Sequence, residues 1–128
     1  MRLLLDTHAL LWWLAGDDGL SAAAKDAIRW NGNEIFVSAA SAWEIATKHR
    51  IGKLAAVAAL VADFEAAIAT QGFIGLPIEV RHGQAAGSLP GAHCDPFDRM
   101  LIAQAMAENM ALVSNERIFD AFGVRRFW

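Results

Sequence analysis

The sequence predicts an α/β fold in which a parallel sheet is covered by helices on both faces. Two observations carry this. Short runs of apolar and β-branched residues alternate with longer alanine-rich segments of helical period along the chain. The runs also lack the in–out alternation of a half-solvated sheet, as expected of strands buried on both sides.

The elements follow in order. Arg2–Leu5 is a strand that stops abruptly at Asp6. Thr7–Ala15 continues as a helix, and Gly16 closes it. Ser21 suits an N-cap for a helix running to about Trp30, and Asn31-Gly32-Asn33 is a turn. Glu34–Ser38 is the second strand and Ala39–Arg50 a helix stopped near Gly52. Ala55–Gln71 is expected to form one longer helix ending at Gly72. Phe73–Ile78 is a short strand interrupted by Pro77, and Glu79–Ser88 is helical. Asp95-Pro96-Phe97-Asp98 opens a helix to about Asn109, with proline at the first helical position, where a missing N–H is harmless. Ala111–Ser114 is a strand, Arg117–Ala121 a short helix ended by Gly123, and Val124–Phe127 a last edge strand.

Composition bounds the rest. The 128 residues are 55% hydrophobic and 20% charged, enough for one domain with a sizeable core and unlike a disordered segment. The apolar run Leu54–Ala62 is far short of the about 20 residues a membrane span needs. An acid at position 6 is too early for a signal peptide, and a lone Cys94 forms no internal disulfide. Both point to a cytoplasmic location. Cys94, without partner ligands for zinc, is expected to be a small buried or loop side chain. The net charge of −3 gives no general attraction to nucleic acid, so any such function needs a local site.

The informative residues are acids. Asp6 follows the first strand, Glu44 lies in the second turn of the helix after the second, and Glu116 lies two residues beyond Ser114. Ligands of open parallel sheets bind beyond the carboxyl ends of the strands. Asp98 shares a helical stripe with Leu101, Ile102, Ala105 and Asn109, and therefore points toward the sheet. Each acid also has a bland reading. Asp6 and Asp95 suit helix caps, Glu44 and Lys48 suit a solvated i, i+4 pair, and Glu116 suits the start of a short helix. Taken together they are costly: two carboxylates about 6 Å apart repel by roughly 3 kcal/mol. A cleft of four acids requires protons or a cation, and hard oxygen donors without a cysteine or histidine set suit Mg²⁺ or Mn²⁺.

Five stretches also resemble VapC-type toxins among the PIN-domain proteins. They are Leu3-Leu4-Leu5-Asp6-Thr7-His8-Ala9-Leu10-Leu11-Trp12, Ser38 to Ile45 around Trp43-Glu44-Ile45, His93-Cys94-Asp95-Pro96-Phe97-Asp98-Arg99, Leu101-Ile102-Ala103-Gln104-Ala105 and Leu112-Val113-Ser114-Asn115-Glu116. The resemblance spans nearly the whole chain and implies a single PIN domain over residues 1–128. That domain is a three-layer α/β/α fold with a central, mostly parallel sheet of four to five strands. It implies Mg²⁺-dependent endoribonuclease activity, a small VapB-like antitoxin partner and a toxin homodimer. By matching position it makes Asp6, Glu44 and Asp98 metal-binding acids. It places the fourth family acid on Glu116, with Ser114 where a threonine is usual, and adds Asp95 near the metal.

Around this site, His8 is expected to pack beside the acids and His93 to lie in a loop. Arg99 and the cluster Lys48, His49, Arg50 and Lys53 are candidates for contact with RNA, equally readable as solvated charge. Trp12, Trp13, Trp30 and Trp43 are expected mostly in the core or an interface, one of them in a dimer or antitoxin groove. Three alternatives remain. A haloacid-dehalogenase-type phosphatase needs a second Asp where His8 stands, and a receiver domain needs an acid pair before the first Asp. A non-catalytic PIN-like binding module is the third.

Overall fold

A computed structural model describes residues 1–93 and 95–128; Cys94, and the expectation attached to it, lies outside them. Five strands, β1 (Arg2–Leu5), β2 (Glu34–Ser38), β3 (Ile74–Leu76), β4 (Ala111–Val113) and β5 (Arg126–Phe127), form one sheet in the order β3-β2-β1-β4-β5. Every neighbouring pair is parallel. The central strand, β1, is apolar on both faces because both are covered. Leu3 and Leu5 join Ile35, Val37 and Val113 under the first layer, α1 (Thr7–Ala15) and α2 (Ala22–Arg29). Leu4, Phe36 and Leu112 face the opposite way, onto Leu101, Ile102 and Ala105. Each of the three leucines is fully buried, worth roughly 1.5–3 kcal/mol apiece relative to exposure. The α/β/α sandwich expected from the sequence is the fold.

The remaining helices are α3 (Ala39–Arg50), α4 (Ala58–Ala62), α5 (Phe64–Thr70), α6 (Val80–Ser88) and α7 (Pro96–Ala107). Their starts follow local chemistry. Ser21 accepts from the Ala24 N–H at 3.1 Å, and Ser38 caps α3 through Ala40 at 2.9 Å. Gly16 ends α1 in the left-handed region, at φ 65°.

Several boundaries differ from expectation. The single helix expected over Ala55–Gln71 is a 3₁₀ turn (Ala55–Val57) followed by α4 and α5. It breaks at Asp63, whose backbone is extended and whose carboxylate caps α5 by accepting from Ala66 N–H at 3.1 Å. A side chain that bonds the local backbone competes with helix continuation. The third strand is only three residues long, because Pro77 has no N–H to continue the ladder. Asn109 lies beyond α7 with φ 53°, so it leaves the stripe that Asp98 begins. The short helix expected over Arg117–Ala121 is a 3₁₀ helix, Arg117–Phe122, ended by Gly123.

One buried polar network, absent from the sequence reading, joins the layers. Gln104 is fully buried, donates to the Pro77 carbonyl at 3.1 Å, and accepts from the Ser38 hydroxyl. Buried His82 accepts from the Glu79 N–H at 3.0 Å and pairs with Glu108 at 3.0 Å. Replacing Gln104 with leucine leaves the Ser38 hydroxyl proton without its acceptor and the Pro77 carbonyl without its Gln104 donor. We expect a loss of about 1–3 kcal/mol, read by urea unfolding as a lower midpoint at unchanged slope.

Candidate active site

Strand register assembles the site. Leu5 pairs with Val37 on one side and Val113 on the other, so the residues just beyond them, Asp6, Ser38 and Ser114, share one edge. The ladder runs one step further, Asp6 N–H donating to the Val113 carbonyl at 3.0 Å, which fixes the direction of the Asp6 side chain. Helix α3 starts directly after Ser38 and carries Glu44 to this edge; the first turn of α7 delivers Asp98. Asp6, Glu44 and Asp98 are therefore electrostatic neighbours: Asp98 acts on Asp6, and Glu44 on Asp98.

Asp6 is 3% exposed. Its Oδ1 accepts from the Ala9 N–H at 2.7 Å, the cap of α1, and the Ser114 hydroxyl also hydrogen-bonds it. Burial nonetheless dominates and, with a smaller push from Asp98, drives its pKa up to about 6, against the lowering by Ser114, Ala9 and His8. Asp98 is half-buried and shifts the same way for the same first reason. His93, 2.8 Å away through Nε2, opposes the shift, while Asp95 and Glu44 add to it.

Glu44 is held differently. It is buried, not solvated as an exposed pair with Lys48 would be. The Thr7 hydroxyl donates to Oε1 at 2.6 Å and the Lys48 ammonium to Oε2 at 2.6 Å. Ser41 stands behind Thr7, 3.0 Å from its hydroxyl.

The remaining candidates stand around these three. Asp95 is the N-cap of α7, its Oδ1 accepting from the N–H groups of Phe97 at 2.9 Å and Asp98 at 3.0 Å. Glu116 is exposed at the rim; its backbone N–H, rather than its carboxylate, bonds inward, to the Ser114 hydroxyl at 3.0 Å. His8 is exposed beside Trp12, with ring centroids 5.8 Å apart.

Other expectations need correction. Arg99 is no free surface cation: its guanidinium donates to the carbonyls of Ala86, His93 and Leu89, locking the loop before α7. Trp30 and Trp43 are exposed at 64% and 63%, not core. Trp43 meets Phe97 edge-on at 4.8 Å. Trp12 and Trp13 are partly buried and line a groove of about 360 Å³ with Leu14, Leu20, Lys25 and Arg29.

Ser41 was not singled out from the sequence, Thr7 entered only within the matching motif, and His93 lies in a loop as expected, but its bond to Asp98 was not foreseen. Thr7 adjoins Asp6, and Ser41 lies one turn before Glu44, so helical spacing offered a signal for both. His93 sits in an irregular loop, where no periodicity points anywhere.

The donor set fits a hard divalent cation. Three carboxylates lie at one edge, near enough for Asp98 to act on Asp6 and Glu44 on Asp98, and neither Asp6 nor Asp98 has a lysine or arginine partner among the described residues. A second cluster, Glu79, His82 and Glu108, lies near the start of β1, where Arg2 binds the Glu108 carbonyl. Its ligands are already spent: Arg81 pairs with both carboxylates, and both ring nitrogens of His82 are hydrogen-bonded. It is a structural clamp between α6 and α7.

A family model described as PIN domain matches residues 3–124. Ribonuclease VapC22 of Mycobacterium tuberculosis is 32% identical over 119 residues, covering 89% of this chain and 86% of that protein. The crystal structure of VapBC2 from Rickettsia felis, bound to a DNA fragment from their promoter, has a chain that superposes with a TM-score of 0.74 at 15% identity. The match covers 99% of this chain and 98% of that one. VapBC-1 from nontypeable Haemophilus influenzae gives a TM-score of 0.70 at 12% identity, over 99% and 97% of the chains.

The raised pKa of Asp6 has a sign. Between about pH 4 and 6 the folded chain keeps a proton that the unfolded chain releases, so stability falls as pH rises through that window. Asp6→Asn keeps a capping oxygen but removes the charge. In chelator at pH 7.5 we expect this variant to be more stable than the wild type by up to about 3 kcal/mol. The gain should vanish below pH 4 in denaturant titrations, and added Mg²⁺ should stabilise only the wild type.

Proposed function

The chain belongs to the PIN-domain family, and from that footing we propose that it is a Mg²⁺-dependent endoribonuclease, the toxin of a VapBC-type toxin–antitoxin pair. The observation that carries the reading is Asp6: a buried carboxylate close to Asp98, with no lysine or arginine paired to it among the described residues. The likeness to a protein named as a ribonuclease supports the activity. Structural likeness to toxin–antitoxin complexes supports the partner.

In this reading Asp6 and Asp98 hold the ion most directly, with Glu44 completing the set. Glu116 and Asp95 add negative charge around it. Mg²⁺ bound there supplies activation of water and charge neutralisation at the phosphate; Mn²⁺ is an acceptable substitute by the same oxygen chemistry. The chain's own residues do the positioning. Ser114 and the Ala9 N–H aim Asp6, His93 aims Asp98, and Thr7 aims Glu44. Exposed His8 packs beside the site against Trp12, close enough to act on the Asp6 charge. Water attacks phosphorus, the bond to the leaving ribose oxygen breaks, and that oxygen takes up a proton.

RNA approaches past Arg50, the last residue of α3, and Lys53 just beyond it, both exposed cations. A VapB-like antitoxin is proposed to lie along the Trp12–Trp13 groove, whose aromatic walls and basic Lys25 and Arg29 suit an acidic amphipathic segment. The toxin is proposed to act as a homodimer in the cytoplasm. No helix among the described residues is long and apolar enough to cross a membrane.

The test incubates wild type, Asp6→Asn and Asp98→Asn with single-stranded and structured RNA, in Mg²⁺ or in chelator. We expect cleavage by wild type in Mg²⁺ alone, and a fall of about two orders of magnitude or more in each variant. Equal cleavage in every lane would mark a contaminating nuclease and sink the assignment. RNA binding without cleavage would favour a binding module.

A further inference from the structure

Of the three acids, Glu44 alone is paired with a lysine or arginine among the described residues. Its side chain is 6% exposed and that of Lys48 is 38% exposed, with the ammonium 2.6 Å from Oε2. Oε1 is occupied as well, by the Thr7 hydroxyl, with Ser41 behind it. Asp6 and Asp98, by contrast, are answered only by neutral donors and histidines. Both oxygens of Glu44 are thus spent, one on a neutral hydroxyl and one on a positive charge.

The two partners of Glu44 are not equivalent. Thr7 is buried at the first residue of α1 and has no freedom to leave. Lys48 lies one turn beyond Glu44 on α3, its head on a flexible four-carbon stem and partly in water. Moving that ammonium outward costs one partly solvated ion pair, while moving the carboxylate would unpack the edge of the sheet.

We propose that Lys48 is the resident counter-ion of the pocket, holding Glu44 in competition with the divalent cation, so that cation binding requires its ammonium to leave Oε2. Lys48 is then a positioning residue: it keeps Glu44 correctly aimed while no cation is bound. It also sets the affinity for the cation by occupying one of its ligands. Once released, it stands at the pocket mouth, where an RNA phosphate enters. This rests on reading the pocket as a divalent metal site.

The test is binding rather than cleavage. Mn²⁺ is titrated into metal-free wild type, Lys48→Gln, Lys48→Arg and Asp6→Asn at pH 8, with free Mn²⁺ read by electron paramagnetic resonance. Thermal melts in chelator confirm that each variant is folded. The expected result is at least threefold tighter binding by Lys48→Gln and near-wild-type binding by Lys48→Arg, which keeps the ion pair. Equal or weaker binding by a folded Lys48→Gln overturns the proposal while leaving the metal reading intact. Absence of Mn²⁺ binding by wild type and Lys48→Gln alike overturns the metal reading and the proposal with it. A second measurement needs no variant: the Lys48 ammonium resonance of wild type, followed by NMR, should move as Mg²⁺ fills the pocket. An unmoved resonance under saturating Mg²⁺ overturns the proposal.

Discussion

Negative charge gathered on one edge of a parallel sheet is the constraint on which this protein turns. β1 ends at Asp6 because a ladder of leucines has filled both core layers by then, and the next residue must emerge at the sheet's carboxyl edge. Parallel strands bring their carboxyl ends to the same side, so acids following different strands converge without any one segment requiring it. The convergence is unfavourable by itself. Asp6 shows this in a pKa pushed up to about 6, as burial outweighs two hydrogen bonds and a histidine.

The chain meets that cost unevenly, and the unevenness shapes the site. Glu44 is neutralised within the chain by Lys48 and steadied by Thr7. Asp98 leans on His93, a weaker and conditional partner. Asp6 has only dipoles and a neighbouring imidazole. A gradient from a fully answered acid to a nearly unanswered one marks where an incoming cation gains most. Elsewhere particular carboxylates are answered by cations: Arg81 pairs with Glu79 and Glu108, His82 also bonds Glu108, and Asp120 and Arg126 are paired at 2.8 Å. The same residue types make a clamp in one place and an open ligand set in another, decided by whether a cationic side chain lies within reach.

Much of the scaffold was legible because it rests on local rules. The strands Arg2–Leu5 and Glu34–Ser38, the helix Ala39–Arg50 and the caps at Asp6, Ser21 and Asp95 each depend on residues within a few positions of one another. Expectation failed where local signals competed. Alanine propensity argued for one helix over Ala55–Gln71, and the carboxylate of Asp63 broke it. Trp30 and Trp43, expected in the core or an interface, lie outside the core and are exposed.

Read alone, the chain determines which residues can be strands and helices, and that its acids follow strand ends. Those properties come from neighbours in sequence and from hydrophobic period. Tertiary structure decided which acids are buried, which are paired and by whom. Lys48 was visible as a helical neighbour of Glu44, but the pair's burial was not, because it depends on α1 and Thr7 packing over it. His93 reaches Asp98 only because Arg99 ties down the loop between α6 and α7 through three carbonyls. Ser114, rather than the Glu116 carboxylate, faces Asp6 because the end of β4 turns the hydroxyl inward and leaves the next acid in water. Solvation and long-range pairing set a carboxylate's charge, and both belong to the folded chain as a whole.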